Sequence, residues 1–462
     1  VKEMKRKTER LIWILTLVLV VGIFYIAPIA SSFKDEGKLG YYNKLLNTAF
    51  QYLNQYYVDA DQTKIKDLYY GAVQGMYKAT KDPYTTLLEP DVLKGLLESI
   101  QQEFEGIGAY VGVKDNRILI ISPIEGTPAY KAGLRPGDII MKIEDKDTEG
   151  MELEKAVSLL RGPADSEVRI EVYRKGLPQR LNMTIERQKI EIPSVKYSMM
   201  DNGIGYIKIN SFGEHTPEEM EDALEALKEK GLKKLVIDLR FNPGGALNAV
   251  VEVANQFLEK GLIVYTVGRR NEETEKFYAD DDLEVGKNVP MVILVNKGSA
   301  SASEIFAGAM KDRKRGTIVG ETSFGKGTVQ NVFKILDGDD MLGLKITIAK
   351  YYTPGGYVIA ENGIKPDVEI SMPEMTPEEE FFSIRLMKDK WVDRFVEKYP
   401  KDIPDKALQN FKSRLEDKGI KIRDIFLKKI IRETQKMLNG PEIMDLEYDL
   451  QLQKAIEVLK DK

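Results

Sequence analysis

Val295-Asn-Lys-Gly-Ser-Ala-Ser-Ala-Ser-Glu-Ile305 is the stretch on which the reading of this 462-residue chain turns. It continues Met291-Val-Ile-Leu-Val295, five apolar residues without alternation, the pattern of a strand buried on both faces. A turn of small residues follows, and a helical pattern opens at its end. A hydroxyl at such a helix N-terminus sits in positive potential, which favours a developing oxyanion and suits a nucleophile. The commoner job of a serine here is to cap the helix. Ser299, Ser301 and Ser303 therefore stay open as candidates on residue chemistry alone.

Two further segments have the same strand-and-turn character. Residues 235–239, apolar except for Asp238, read as a second buried strand and overlap Asp238-Leu-Arg-Phe-Asn-Pro-Gly-Gly245. A glycine turn between a buried strand and a helix can aim backbone N–H groups at an anion, as an oxyanion hole requires. The other segment is Gly320-Glu-Thr-Ser-Phe-Gly-Lys-Gly-Thr-Val-Gln330. Glycines flank Lys326 and an apolar stretch follows, which can lead the lysine inward. This segment imitates a phosphate-binding loop, but Gly327 stands where Ser or Thr must bind magnesium, and residues 328–336 read as a strand. Nucleotide binding is rejected. From 195 to 370 strands and helices alternate, the signature of an α/β layer structure.

Composition narrows the chemistry. There are no cysteines and one histidine, His215, so thiol catalysis, disulfides and a His-rich zinc site are excluded, and no metal or cofactor is expected. A Ser-His-Asp triad would have to use His215. That residue reads as a surface-loop histidine before a helix with Thr216 as N-cap and Pro217 at the first position. Against 68 basic residues stand 73 acidic ones, with no dominant basic patch, which argues against a nucleic-acid partner.

Lys2, Lys5, Arg6, Lys7 and Arg10 precede an uncharged run over 11–33. About 20 apolar residues span a bilayer, and the positive flank keeps the start cytoplasmic. A single-pass anchor with the remainder extracytoplasmic is expected. The alternative is a signal segment cleaved near Ala30-Ser31-Ser32, leaving a secreted or periplasmic protein.

The organisation expected is a stub and apolar segment over 1–36, a helical arm over 37–100, and a β-rich domain over 101–190. A catalytic core over 191–373, with contributions from 72–100, and a C-terminal helical region over 374–462 complete it. In the β-rich part, Phe104-Glu-Gly-Ile-Gly-Ala-Tyr-Val111 resembles the carboxylate-binding loop of a PDZ domain. Residues 124–140, with Ala132-Gly-Leu before Gly137-Asp, match that family's core pattern. The resemblance implies that a peptide tail adds as a strand while N–H groups around Gly106, Ile107 and Gly108 hold its terminal carboxylate. Arg161, after the helix expected over 153–160, is a candidate sensor of an occupied groove. Gly162-Pro-Ala-Asp-Ser166 departs from the usual Gly-Pro-x-Gly-Thr, so a different turn is possible there.

Together the segments resemble the carboxyl-terminal processing (tail-specific) proteases, a family of Ser-Lys peptidases. The resemblance runs from about residue 72 to 370 and includes Ala72-Val-Gln-Gly-Met76, Asp82-Pro83, and Ala349-Lys-Tyr-Tyr-Thr-Pro-Gly-Gly356 with Gly363-Ile-Lys-Pro-Asp367. It implies a crotonase/ClpP-like α/β core with an inserted PDZ domain and helical arms. Ser301 would be the nucleophile, Lys326 the base, Gln330 the residue that orients it, and Gly244, Gly245 and Ala302 the oxyanion hole. Tyr84 and Thr85 depart from the usual pattern after Asp82-Pro83, which is expected to affect a helical arm and not the chemistry. The substrates implied are extracytoplasmic proteins with exposed C-terminal tails, and the arms suggest a homodimer. A lysine with its usual pKa of about 10.4 is neutral roughly one time in two thousand at neutral pH, so the base must be buried to work. A silent PDZ scaffold would not retain Ser301, Lys326 and Gln330 together, and acyl-CoA chemistry would not need the PDZ domain.

Overall fold

A computed structural model describes residues 36–460 apart from 115, 125, 270–272, 281–284, 286–288, 339 and 440–443. The apolar run over 11–33 lies outside them. Among the described residues no helix is long and apolar enough to cross a membrane. The chain divides after Lys81 into two compact units. The first contains helices Glu36–Tyr56 and Ile65–Lys78, with Phe50 against Tyr69 at 5.1 Å between ring centres.

The second unit is built on a six-stranded sheet. Its order is Val195–Met200, Ile204–Ile209, Lys234–Asp238, Met291–Val295, Thr317–Gly320 and Val368–Glu369. The first pair is antiparallel and the others are parallel. Strand side chains alternate between faces, and here both faces are dry. Met291, Ile293 and Val295 face the helices Thr216–Glu229, Leu247–Asn255 and Ala302–Asp312. Val292 and Leu294 face the other way, onto Leu452, Ala455 and Leu459 of the last helix, Leu450–Lys460. That is why the central strands have apolar runs without alternation.

A second, antiparallel sheet lies beside it. The long hairpin Thr328–Asp337 and Asp340–Tyr352 pairs with the short strand Thr86–Leu88 and with Gly261–Gly268, which pairs in turn with Glu273–Ala279. The hairpin begins two residues after Lys326. The short strand brings residues 82–86 to the same place.

The β-rich domain is an antiparallel sheet of Ala109–Lys114, Arg117–Pro123, Ile139–Ile143, Glu167–Tyr173 and Leu181–Glu186, around its own core with helix Leu153–Leu160. A two-stranded ribbon, Glu103–Gly106 with Gln188–Glu191, carries the chain into and out of it. The turn at 162–166 keeps the shape that the usual glycine would give. Asp165 takes φ +65°, a left-handed conformation that Asp tolerates better than most residues.

The C-terminal region is helical, as expected, and it is not too extended to be buried within one chain. Helices Pro377–Lys388, Trp391–Lys398, Asp405–Glu416 and Asp424–Asn439 bury Leu386, Val396, Leu415 and Leu427 in a core of their own.

Candidate active site

Ser301 begins the helix Ala302–Asp312 with φ +54° and ψ −114°. A non-glycine residue held there costs on the order of 1–3 kcal/mol and persists only where its surroundings impose it. They do. Ala300 N–H and Ser303 Oγ both donate to Asn242 O at 3.0 Å. Ser299 Oγ donates to Leu239 O at 2.8 Å and accepts from Asn296 N–H at 3.0 Å. Ser299 and Ser303 are thus fully buried and committed to the neighbouring turn, whereas Ser301 is partly open to solvent. Partners about sixty residues away engage the hydroxyls of two of the three candidate serines.

Glu304, on the first turn of the same helix, ties this turn to the lysine loop. One oxygen, Oε2, accepts Ser301 N–H and Lys326 N–H, both at 2.8 Å. The two backbone nitrogens therefore lie no further apart than twice that distance. Oε1 accepts Ser323 Oγ and Gly325 N–H, each at 2.6 Å. The carboxylate is 1% exposed, and its burial raises its pKa against four hydrogen bonds that favour the charged form.

Lys326 is half-buried, and among the described residues no carboxylate forms an ion pair with it. Burial holds its pKa below the ordinary lysine value; the charge of Lys345 pushes in the same direction and Glu304 in the opposite one. Its Nζ stands over the ring of Tyr84, 5.2 Å from the centre. Residues 82–86 are therefore part of the lysine's surroundings, contrary to the expectation that they affect only a helical arm.

The glycine turn packs directly on Ser301. A Cβ on Gly244 would lie 2.7 Å from Ser301 Cβ and 2.9 Å from Ala302 N; one on Gly245 would lie 2.0 Å from Phe212 O. Only glycine fits either position. Gly244 N–H is engaged, donating to Asn242 Oδ1 at 2.8 Å. Phe212 N–H donates to Gly244 O and Ala246 N–H donates to Phe212 O, the parallel pairing that turns Gly245 N–H away from residue 212. Below the turn, Arg240 is clamped by two carboxylates. Asp238 takes its Nε at 2.9 Å and Nη2 at 2.6 Å, and Asp449 takes Nη1 at 2.7 Å and Nη2 at 2.5 Å. Burial alone would lower the Arg240 pKa, but the two carboxylates raise it beyond its usual value.

In the β-rich domain a cavity of about 240 Å³ runs between the loop at Gly106, Ile107 and Gly108 and the helix residues Val157 and Leu160. A Cβ on Gly108 would lie 2.4 Å from Thr127 Cβ. Arg161 also lines it, but is not a free surface arginine. It donates to Glu98 at 2.6 Å, on the helix Pro90–Gln101 outside this domain, and lies 5.1 Å from the centre of the Phe104 ring.

Comparison with known proteins agrees with this geometry. The description of peptidase family S41 matches residues 203–370, and that of the PDZ domain matches 119–174. The carboxy-terminal processing protease CtpA of Bacillus subtilis is 37% identical over 436 residues, covering 90% of each chain. This chain belongs to that family. CtpB of the same organism is 38% identical over 324 residues, covering 70% of this chain and 66% of that one. A probable CtpA-like serine protease of Staphylococcus aureus is 38% identical over 367 residues, covering 79% and 71%. The protein is a serine-type carboxy-terminal processing peptidase with an α/β fold and a PDZ domain.

Two residues of this carboxy-terminal processing protease have partners other than those expected. The structure does not join Gln330 to Lys326; its amide nitrogen donates to Thr328 Oγ1 at 2.8 Å, Thr328 O at 3.1 Å and Thr347 Oγ1 at 3.4 Å. His215 itself, not Thr216, is the N-cap of its helix, and its Nε2 lies 3.5 Å from Glu103 Oε1. With Glu191 these residues bring three ligand atoms within 4.8 Å of one another, a one-histidine grouping that the exclusion of a His-rich site does not cover. Sequence reasoning also missed Glu304 and Asp449, and it assigned Tyr84 to a helical arm. Only Glu304 had a local signal, the Ser301-x-x-Glu304 spacing of a capping box.

Proposed function

We propose that Ser301 is the nucleophile and Lys326 the general base of an endopeptidase that proceeds through an acyl-enzyme. Neutral Lys326 takes the Ser301 proton as Oγ attacks the peptide carbonyl, and returns it to the leaving amine. Water then hydrolyses the ester. The observation that carries this reading is the shared Glu304 oxygen, which fixes the backbones of both residues while the neighbouring serines are otherwise engaged. Gly245 N–H and Ala302 N–H are the proposed oxyanion donors, because Gly244 N–H is already bonded to Asn242. The Gln330 nitrogen is bonded to threonines, which leaves its carboxamide oxygen to accept from the lysine amine and aim its lone pair.

The proposed substrates are extracytoplasmic proteins whose C-terminal tails enter the PDZ cavity, with Arg161 sensing occupancy. The basic flank and apolar run over 11–33 favour a membrane tether, with a cleaved signal segment as the alternative. Homodimerisation through the first unit is favoured by its exposed apolar residues, among them Tyr41, Leu45, Leu46 and Tyr52. The test is mass spectrometry of fragments from unfolded proteins mixed with the protein. Ser301→Ala and Lys326→Ala should each abolish cleavage, with the double variant no worse than either. Ser299→Ala and Ser303→Ala should keep it. Wild-type cleavage by Lys326→Ala would remove the lysine from the mechanism.

A further inference from the structure

We propose that Tyr84 is a positioning residue for the reaction: its ring closes the site over Lys326, excludes water from the amine, and holds Nζ in place. The inference rests on the reading of Lys326 as the base. It comes from a part of the chain more than two hundred residues before the lysine, and from three observations.

The first is contact. Lys326 Nζ lies 5.2 Å from the centre of the Tyr84 ring, within cation–π range. The second is that the ring is anchored independently of the lysine. Tyr84 N–H donates to Asp82 Oδ1 at 3.0 Å and Thr85 Oγ1 to Asp82 Oδ2 at 2.6 Å. Thr85 Oγ1 accepts from Thr347 N–H at 3.1 Å, and the next residues pair with the hairpin as Thr86 opposite Lys345. Thr347 lies opposite Gln330 in that hairpin and accepts its amide at 3.4 Å. The 82–86 loop is thus fastened to the strand that backs the lysine and glutamine.

The third is electrostatic balance. The charged groups that act on Lys326 are Lys345 on the hairpin and Glu304 on the nucleophile's helix, and they oppose one another. What remains is burial. A ring over an ammonium has two effects: its π face stabilises the charge, and its bulk keeps water away from it. Burial is the largest cause that holds Lys326 below the usual lysine value. The Tyr84 ring stands against the amine, so opening this wall admits water to Nζ and should return the lysine toward its ordinary basicity.

The experiment is a pH profile of kcat/KM on fluorescein-labelled casein, from about pH 6 to about pH 10, for the wild type and variants. Each sample is normalised to the serine titrated by a fluorophosphonate. Tyr84→Phe keeps the ring and should overlay the wild type. Tyr84→Ala, and Tyr84→Gln as a smaller polar variant that admits water, should move the acid limb upward by about one unit. Below the limb this is a loss of about tenfold in kcat/KM. A merely structural role would lower the titratable fraction or the melting temperature and leave the limb where it was. An unmoved limb in both variants, with Lys326→Ala inactive, overturns the inference alone. An active Lys326→Ala overturns the base assignment and the inference with it.

Discussion

The two halves of the proposed dyad are held in opposite ways. Around Ser301 the hydroxyls of Ser299 and Ser303 are buried and bonded to backbone carbonyls, and the helix that follows is buried from Ala302 to Met310. Around Lys326 the chain leaves the core for a hairpin whose first strand is half-buried at its root and exposed from Phe333 onward. The nucleophile is fixed by hydrogen bonds at one conformation, strain included. The base is defined by what surrounds it: Tyr84 from an earlier loop, Lys345 from the hairpin and Glu304 from below. Preorganisation of the nucleophile is local and stiff. The basicity of the lysine depends on several distant pieces staying in register.

Glu304 is the one residue common to both halves, so its removal should have the largest effect. In Glu304→Gln one side-chain oxygen becomes an NH₂ group, which cannot accept from backbone N–H donors. Turned one way the amide strands the N–H groups of Ser301 and Lys326, and turned the other way that of Gly325, since the Ser323 hydroxyl can rotate to accept; each stranded donor costs about 1–3 kcal/mol. The expected outcome is a loss of turnover of about a hundredfold or more together with a fall in the denaturation midpoint. Glu304→Asp, too short to reach both loops, should lose activity as well. Full activity in Glu304→Gln would show that the nucleophile and base are aligned by something else.

A smaller effect is expected at Asp449. Breaking a buried ion pair by removing one partner costs about 3–5 kcal/mol when the remaining charge is stranded. Arg240 is not stranded, because Asp238 still pairs with it. Asp449→Asn should therefore lower stability by less than that range, on the order of 1–2 kcal/mol in urea unfolding. The same change loosens the turn that carries Gly244 and Gly245, so kcat should fall more than KM rises. Loss of stability with an unchanged kcat would confine Asp449 to holding the last helix.

What could be read in the sequence follows the same division. The strand Met291–Val295 was legible because burial on both faces leaves an apolar run, and the helix Leu153–Leu160 because its period and flanking turns agree. The PDZ domain was legible from its Ala132-Gly-Leu and Gly137-Asp block and from Gly108, where a Cβ would lie 2.4 Å from Thr127 Cβ. The choice among three serines was not, since Leu239 O and Asn242 O are backbone atoms with no sequence signature. Asp449 was hidden in a region rich in Lys, Glu and Leu, where one more acid conveys nothing. The C-terminal helices were misjudged for a related reason: composition reports helical propensity, while Leu386, Val396, Leu415 and Leu427 show a shared core only once the helices are placed together. Tyr84 was noticed as a departure and assigned to the wrong neighbourhood, because nothing local connects it to a lysine so far along the chain.

The smallest expected effect concerns the link between the PDZ domain and the core. Arg161 ends the helix beside the peptide cavity, and its partner Glu98 is on a helix that packs against the hairpin strand Asp340–Tyr352. A tail carboxylate entering the cavity would compete with Glu98 for the guanidinium. Arg161 is 43% exposed on its side chain, so the ion pair contributes little to stability, and the melting temperature of Arg161→Ala should stay near that of the wild type. Its effect should appear elsewhere. If occupancy is relayed, free tail peptides accelerate cleavage of a separate reporter peptide in the wild type, and Arg161→Ala weakens that acceleration severalfold. Amidating the tail removes the charge while keeping every side chain, and should reproduce the loss in the wild type. Glu98→Gln should act in the opposite direction, raising basal cleavage by freeing Arg161 before a tail arrives. If amidated and free-acid tails act alike, and neither variant changes the response, the PDZ domain only delivers substrate, and the Arg161–Glu98 pair is an ordinary contact between two packed elements.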